Sequence, residues 1–157
     1  SVAQYKGLEV WTKDPKANAL FAKLPAKNSQ VVNTTQWAIS QPRSTDVGNF
    51  IVAQYNSCKL NEGTNLRTYY DAYVDFAKMA QEKGDVQGRK LIIPGAGYDG
   101  DADFIRLVYT SAVSERGEGI EFWRSELYST DERRALYGLA DCENGSIYVG
   151  PVLRSPN

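Results

Sequence analysis

The pattern of apolar and polar positions between residues 47 and 112 predicts a strand, one long helix and two more strands. Residues 47–57 (VGNFIVAQYNS) are rich in β-branched and aromatic side chains, as strands are. In 64–83 the apolar residues recur instead at spacings of three and four, the period of a helix with one buried face. Residues 89–93 and 104–111 then predict two strands around a loop rich in Gly and Asp. This order of elements is the most informative feature of the chain.

The long helix has the most regular pattern. Its predicted buried face consists of Leu66, Tyr69, Tyr70, Tyr73, Phe76, Ala77 and Ala80. Gly84 is expected to end the helix, because glycine readily adopts the left-handed conformation found just after helix ends. A helix of this length, about 30 Å, is long enough to cover a four-stranded sheet.

The C-terminal part of the chain predicts more helix and a last strand. A weaker helical pattern begins near Ser114, and a capping box from Ser129 to Glu132 predicts the start of a further helix. Residues 147–153 predict the final strand. Pro151 places that strand at a sheet edge, because proline has no N–H to donate to a strand ladder.

The first 45 residues predict an N-terminal strand–helix–strand extension. Residues 5–12 alternate sufficiently for a strand, and 30–40 are β-branched and aromatic. Between them, Asp14 is the expected N-cap of a helix and Pro15 its first residue. With 157 residues, the chain is expected to be a single domain, 1–157, with the extension at 1–45 and the core at 47–153.

From residue 47 onward the predicted order is β-α-β-β-α-β, the split β-α-β or ferredoxin-like order of an α+β antiparallel sheet. In the corresponding 4-1-3-2 sheet, the end of the first strand lies beside the start of the last. Cys58 ends the first predicted strand and Cys142 directly precedes the last. The order therefore predicts a Cys58–Cys142 disulfide, the alternative being two buried free thiols.

Residues 47–153 resemble the dimeric α/β-barrel superfamily of ferredoxin-like proteins. The stretches NFIVAQYNSCKLNEGTNLRTYYDAYVDFAKMAQEKG and GRKLIIPGAGYDGDADFIRLVYTSAV carry this resemblance. Members of the superfamily include cofactor-free monooxygenases, haem-degrading enzymes and dye-decolourising relatives. The resemblance implies a homodimer with paired sheets and a pocket between sheet and helices.

Composition limits which compartments and which partners are expected for this protein. The charged fraction of 24% is that of an ordinary globule, and the net charge of −1 argues against nucleic-acid binding. No run of residues approaches the apolar length of a membrane span. A cysteine pair that forms a disulfide indicates an oxidising compartment, so a secreted or periplasmic protein is expected. The start at Ser1, without Met, predicts that a preceding segment was removed.

The chain contains no histidine. Nucleophile systems that depend on histidine are therefore excluded, the usual proximal haem ligand is missing, and no cofactor is expected. Asp99, Asp101 and Asp103 alternate in a loop, and alternate carboxylates are able to converge on a hard cation. The loop lacks the remaining ligands of a calcium loop, and a polar hairpin turn explains the same residues, so no metal site is predicted.

Tyrosine and arginine are the remaining candidates for a ligand site. An arginine among aromatic rings is able to hold an anion by a bidentate contact, whereas the alternative is a core whose hydroxyls reach its boundary. The candidate ligand-binding residues are Tyr55, Arg67, Tyr69, Tyr70, Tyr73 and Arg106.

Three functions fit these observations. The first is a secreted or periplasmic domain, dimeric and without a redox cofactor, that binds a small ligand or a protein partner. The second is a cofactor-free enzyme of the dimeric α/β-barrel kind with a Tyr- and Arg-lined pocket; a pocket under the long helix with a buried Arg or carboxylate would favour it. The third is a subunit of an extracellular assembly. Residues 1–45 hold six Lys and Arg against two acidic residues, and the remainder holds twelve against seventeen, which motivates this third possibility.

Overall fold

The computed structural model describes residues 6–7, 9–10, 12–23, 32–43 and 50–151. These residues fall into two compact units, Ser1–Val31 and Val32–Asn157. The first unit contains helix α1, Pro15–Phe21. As the sequence predicts, Asp14 is its N-cap, accepting a hydrogen bond from the backbone N–H of Lys16 at 2.8 Å, and Pro15 is its first residue.

The strand predicted over residues 5–12 is wrong for the part of it that the structure describes. Residues 6–7, 9–10 and 12 are helical. Glu9 and Lys13 lie four residues apart and form an ion pair of 2.6 Å, a spacing that brings side chains together on a helix but not on a strand. The described part of the extension before α1 is thus mainly helical, and within the described residues only the second of its two predicted strands is observed.

The second unit is an antiparallel six-stranded sheet with helices, which confirms the predicted α+β class. Its strands are β1 Thr34–Ser40, β2 Phe50–Leu60, β3 Gly88–Pro94, β4 Phe104–Thr110, β5 Ala140–Cys142 and β6 Ser146–Pro151. Its helices are α2 Leu66–Glu82, α3 Val113–Phe122 and α4 Asp131–Tyr137, with a π-helical segment at Trp123–Leu127 between the last two.

The strands follow the order β1-β3-β4-β2, and β2 pairs along its other edge with both β5 and β6. Cys58 faces Cys142 across β2 and β5, and the two form the predicted disulfide. Gly145, between β5 and β6, packs directly on the backbone oxygen of Tyr55, where an added Cβ would lie 2.2 Å from that oxygen. Pro151 belongs to β6, which pairs with β2 alone among the described strands.

Helix α2 matches its prediction closely. Asn65 caps it by accepting a hydrogen bond from the backbone N–H of Thr68 at 2.9 Å. Gly84 follows the last turn with a φ of 107°, the left-handed conformation expected of it. Its fully buried face comprises Tyr69, Tyr73, Phe76, Ala77 and Ala80. This face packs on the sheet and forms the main core with residues such as Leu91 and Phe104.

The start of α4 differs from the sequence-based expectation by one residue. Thr130, rather than Ser129, accepts the hydrogen bond from the backbone N–H of Arg133. The chain enters α4 directly from the π-helical segment, in which the N–H of Tyr128 donates to the carbonyl of Trp123 at 2.9 Å. The last turn before the cap is therefore wider than an α-helical turn.

Each face of the sheet carries its own buried cluster, because successive residues of a strand point to opposite sides. Cys58 of β2 lies in the main core under the helices. Ala53, on the other side of the same strand, belongs to a second buried cluster with Ile92, Leu107 and Tyr109. No helix among the described residues is long and apolar enough to cross a membrane.

Candidate functional site

A cavity of about 270 Å³ lies between the sheet and the helices of the Val32–Asn157 unit. Gln54 and Asn56 of β2 and Arg106 and Val108 of β4 form its floor. The register pairs Gln54 with Val108 and Asn56 with Arg106, so these four side chains share one face of the sheet. Helices α2, α3 and α4 and the π-helical segment provide the walls and roof.

Arg106 is the central charged group of the cavity floor. Its guanidinium carbon lies 5.0 Å from the centre of the Tyr137 ring, and its side chain hydrogen-bonds to the Tyr137 hydroxyl. Burial by itself would lower the pKa of Arg106, but the hydroxyls of Tyr73, Tyr137 and Tyr69 favour the charged form, and the pKa is raised overall. Its Nε is buried and makes no hydrogen bond. Arg106 is thus a cation held among phenols.

Arg116 reaches the cavity from α3. Its Nη2 donates to the amide oxygen of Gln54 on the cavity floor. Burial lowers the pKa of Arg116, yet a guanidinium remains protonated at ordinary pH. Its Nε is also buried without a partner. A neutral amide is therefore the partner of this second cation.

Arg89 is the third arginine in the lining, and its charge is compensated. It is 2% exposed and pairs with the fully buried carboxylate of Asp85. It also donates to the carbonyl of Gln87 at 3.1 Å and lies 5.6 Å from the centre of the Phe76 ring. This pair adds no net charge to the cavity.

Acidic side chains do not balance the other two arginines. Among the described residues, no carboxylate lies within ion-pair distance of Arg106 or Arg116. Glu143 is the acidic residue in the lining, and it is exposed. On α3, the nearby Glu115 pairs instead with Arg43, at 3.7 Å. The cavity consequently carries an excess of positive charge.

Aromatic rings form one side of the cavity. Phe76 of α2 lies 6.3 Å from Tyr73 and 5.9 Å from Trp123, and Trp123 lies 6.0 Å from Tyr137, all between ring centres. Trp123 opens the π-helical segment, whose wider turn places Trp123 at the cavity while Leu127 is fully buried. Such segments occur often at functional sites. The cavity combines two cations with a largely apolar wall.

Gln87 and Gly119 close one end of the cavity. An added Cβ at Gly119 would lie 2.6 Å from the side-chain amide of Gln87, so glycine permits α3 to approach the sheet here. The Nε2 of Gln87 is buried and has no hydrogen-bond partner. With Gln54, Asn56 and Asn144, Gln87 gives the cavity four neutral amides that are able to bind polar groups of a ligand.

The structure brings two of the six predicted ligand residues, Tyr73 and Arg106, to the cavity. Burial raises the pKa of Tyr73, so it is a neutral hydroxyl at ordinary pH. Tyr69 does not line the cavity, but it hydrogen-bonds to Arg106. Burial raises the pKa of Tyr69, and the charge of Arg106 partly opposes that rise.

The other three predicted residues lie elsewhere. Tyr55 is on the opposite face of the sheet, with its ring 5.7 Å from that of Tyr148. Tyr70 packs edge-on against Trp37. Arg67 pairs with Asp71 at 2.9 Å on the exposed side of α2. None of the three lines the cavity.

Two of the three aspartates of the 99–103 loop, Asp101 and Asp103, have structural partners. Asp101 pairs with Lys59 at 2.6 Å, and the hydrogen bond and charge of that lysine lower the pKa of the carboxyl. Asp103 accepts a hydrogen bond from the backbone N–H of Leu60 at 2.8 Å. Within the described ranges, no three Cys, Asp or Glu side chains come together in a way that would hold a metal ion.

Sequence reasoning missed Arg116, Trp123, Tyr137 and the amides of Gln54 and Asn56. Gln54 and Asn56 did carry a usable indication, since two polar residues at alternate positions of an otherwise buried strand call for polar contacts inside the protein.

No protein-family model matches the chain, and neither curated proteins nor solved structures show a significant similarity to it.

Proposed function

We propose that this protein is a small-ligand-binding domain whose ligand is an organic anion held in the cavity between sheet and helices. The observation that carries the proposal is Arg106, a guanidinium enclosed by phenols with no carboxylate among the described residues to neutralise it. Enclosing an unpaired charge is costly, and an anionic ligand would supply the missing partner.

The other walls support an organic rather than an inorganic anion. Phe76, Trp123 and Tyr137 offer apolar and aromatic surface, which a carbon framework would cover. The volume of about 270 Å³ lies just below the roughly 300 to 1,000 Å³ typical of ligand pockets. The ligand is therefore of metabolite size.

A panel of small carboxylates, with their amides and amines as neutral and cationic analogues, tests the proposal by thermal shift and calorimetry. We expect carboxylates alone to raise the melting temperature. Arg106→Gln should weaken carboxylate binding roughly ten- to a hundredfold, the value of a hydrogen bond to a charged group. Arg67→Gln, which removes an exposed arginine outside the cavity, is the matched control and should bind as the original chain does.

Two results would contradict the proposal. One is the absence of any shift with the whole panel at millimolar concentration. The other is equal loss of binding in Arg67→Gln and Arg106→Gln, which would mean that overall charge, and not the cavity, attracts the anions. Circular dichroism of Arg106→Gln and of the charge-conserving Arg106→Lys separates a loss of binding from a loss of folding.

A cofactor-free enzyme is the second candidate, and the cavity under α2 with its enclosed arginine favours it. A reaction in this cavity would use Arg106 to stabilise negative charge and the Tyr73 or Tyr137 hydroxyl to donate a proton. The lining offers no histidine and no enclosed carboxylate as a base, which favours binding over catalysis. Conversion of a bound carboxylate to a product, monitored by mass spectrometry, would show that the protein is an enzyme.

We also propose a ferredoxin-like core and a homodimer. Leaving out β1 and β5, the strand order β3-β4-β2-β6 corresponds to the 4-1-3-2 order, which supports the first. Exposed apolar residues along β6 support the second: Ile147, Tyr148 and Val149 are all more than half exposed, a pattern typical of interaction surfaces. Light scattering across a range of concentrations tests the dimer, and a monomer at every concentration would exclude it.

The disulfide fits a protein of an oxidising compartment. On that basis we propose a secreted or periplasmic location. Thiol alkylation of protein taken from its native source without reduction tests this, because labelling of Cys58 and Cys142 would mean that the bridge does not form there.

A further inference from the structure

We infer that the cavity recognises an organic dianion with two separated anionic groups, as in a dicarboxylate, one group bound by Arg106 and the other by Arg116. The inference rests on the proposed function and specifies its ligand class.

The charge of the cavity supports two anionic groups rather than one. Arg89 is neutralised by Asp85, but Arg106 and Arg116 have no carboxylate partner among the described residues. A single carboxylate at Arg106 would leave Arg116 uncompensated. Two anionic groups leave neither of these two cations unpaired.

The two arginines reach the cavity from different elements, β4 and α3, which favours two separate anionic groups. Arg106 lies opposite Asn56 in the β2–β4 register, and Arg116 hydrogen-bonds to Gln54. The two guanidinium groups therefore meet different residues of the cavity, Arg106 at the Tyr137 ring and Arg116 at Gln54. Two carboxylates joined by a carbon framework are suited to two cations at separate points, whereas a compact anion such as phosphate or sulfate presents its oxygens at one point.

The present partner of Arg116 is one that a ligand is able to replace. The amide oxygen of Gln54 is neutral, and a hydrogen bond from a guanidinium to a carboxylate is roughly twice as strong. On ligand binding, Gln54 would exchange this arginine for a polar group of the ligand. Between the two ends, Phe76 and Trp123 offer apolar contact for the carbon framework.

The benzenedicarboxylates provide a test, because they vary the separation of two carboxylates on a constant ring. Calorimetry would compare benzoate with the 1,2-, 1,3- and 1,4-dicarboxylates, and butyrate with glutarate as a flexible pair. We expect the 1,3 or 1,4 isomer to bind at least tenfold more tightly than benzoate and than the 1,2 isomer. Inorganic phosphate and sulfate should bind more weakly than the 1,3- and 1,4-dicarboxylates.

Arg116→Gln should abolish the preference for dicarboxylates while leaving the affinity for benzoate nearly unchanged. Arg116→Lys, which keeps the charge, should restore part of the preference. Arg124→Gln is the matched control, because Arg124 is an exposed arginine nearby on the π-helical segment. Thermal melts of each variant establish that it is folded.

The outcomes separate the inference from the proposed function. If benzoate binds and no dicarboxylate is preferred, or if the preference survives Arg116→Gln, the dianion inference is overturned and the anion-binding function stands. If phosphate or sulfate binds most tightly, a ligand with two separated anionic groups is excluded and the dianion inference is overturned. If neither mono- nor dicarboxylates bind, the proposed function itself fails.

Discussion

At the scale of single residues, the cavity depends on side chains kept in the charge state that their surroundings favour. Tyr69 and Tyr73 are 1% and 2% exposed, and burial is the main cause of the raised pKa of both phenols. Both hydroxyls therefore remain neutral around the permanent charge of Arg106. Because burial favours the neutral form of Tyr69 and Tyr73, the stability of the fold depends on both hydroxyls staying protonated.

The raised pKa values predict a loss of stability in alkaline solution. Between the ordinary tyrosine value of 10.0 and the raised folded values, the folded chain holds protons that the unfolded chain has released. The contribution of these tyrosines to the free energy of unfolding should then be complete below pH 10, and the free energy of unfolding should fall as the pH rises above 10. Denaturant titrations from pH 8 to about pH 11 measure this.

Tyr73→Phe removes one of the responsible groups and should make the decline shallower. Tyr128→Phe, at a side chain that is 58% exposed, is the control and should leave the slope unchanged. An identical slope in all three proteins would contradict the assignment of the effect to Tyr73.

At the scale of the elements, β6 differs from the other strands in its exposure. It pairs with β2 along residues 50–55, yet most of its side chains are exposed. Tyr148 stands beside Tyr55 on the sheet face away from the cavity. An exposed edge strand with apolar side chains is prone to associate with another chain.

A charge in β6 should therefore weaken the proposed dimer. Tyr148→Glu is expected to shift the monomer–dimer equilibrium at least tenfold toward the monomer, because a carboxylate would have to be buried in the interface. Sedimentation equilibrium measures the shift. Tyr128→Glu, at an equally exposed tyrosine outside the sheet, is the matched control. A dimer of the same strength in both variants would place the interface elsewhere.

The elements were predicted from sequence more completely than the site was. The α2 face, its glycine cap and the Cys58–Cys142 pairing follow from periodicity and strand order, which are local or topological properties. The face of β2 does not: Ala53 and Cys58 are both buried on opposite sides, so the pattern could not show that Tyr55 points away from the helices. Arg116 lies on a helix interrupted by Gly117 and Gly119, where no clear face is visible.

At the scale of the whole molecule, the disulfide joins parts of the chain that are far apart in sequence. Cys58 and Cys142 are separated by 84 residues, and the enclosed segment includes α2, β3, β4, α3 and α4. Cys142 also lines the cavity. The bond therefore restricts the unfolded chain over most of the second unit.

Reduction should lower the free energy of unfolding by roughly 4 to 5 kcal/mol, the chain-entropy value for a loop of this length. Denaturant unfolding with and without reductant measures the difference. A Cys58→Ala/Cys142→Ala variant should be as unstable as the reduced protein and insensitive to reductant. Equal stability of the oxidised and reduced protein would show that the bond does not restrict the unfolded state as expected.

The arginines of the cavity have a consequence for how a bound anion leaves. Arg106 and Arg116 remain protonated in any ordinary medium, and the chain has no histidine that acidification would charge. On the proposed function, mild acidification or alkalinisation would not discharge the site. The anion would be retained until its own carboxylates take up protons. Unloading would then depend on dilution or on displacement by a competing anion.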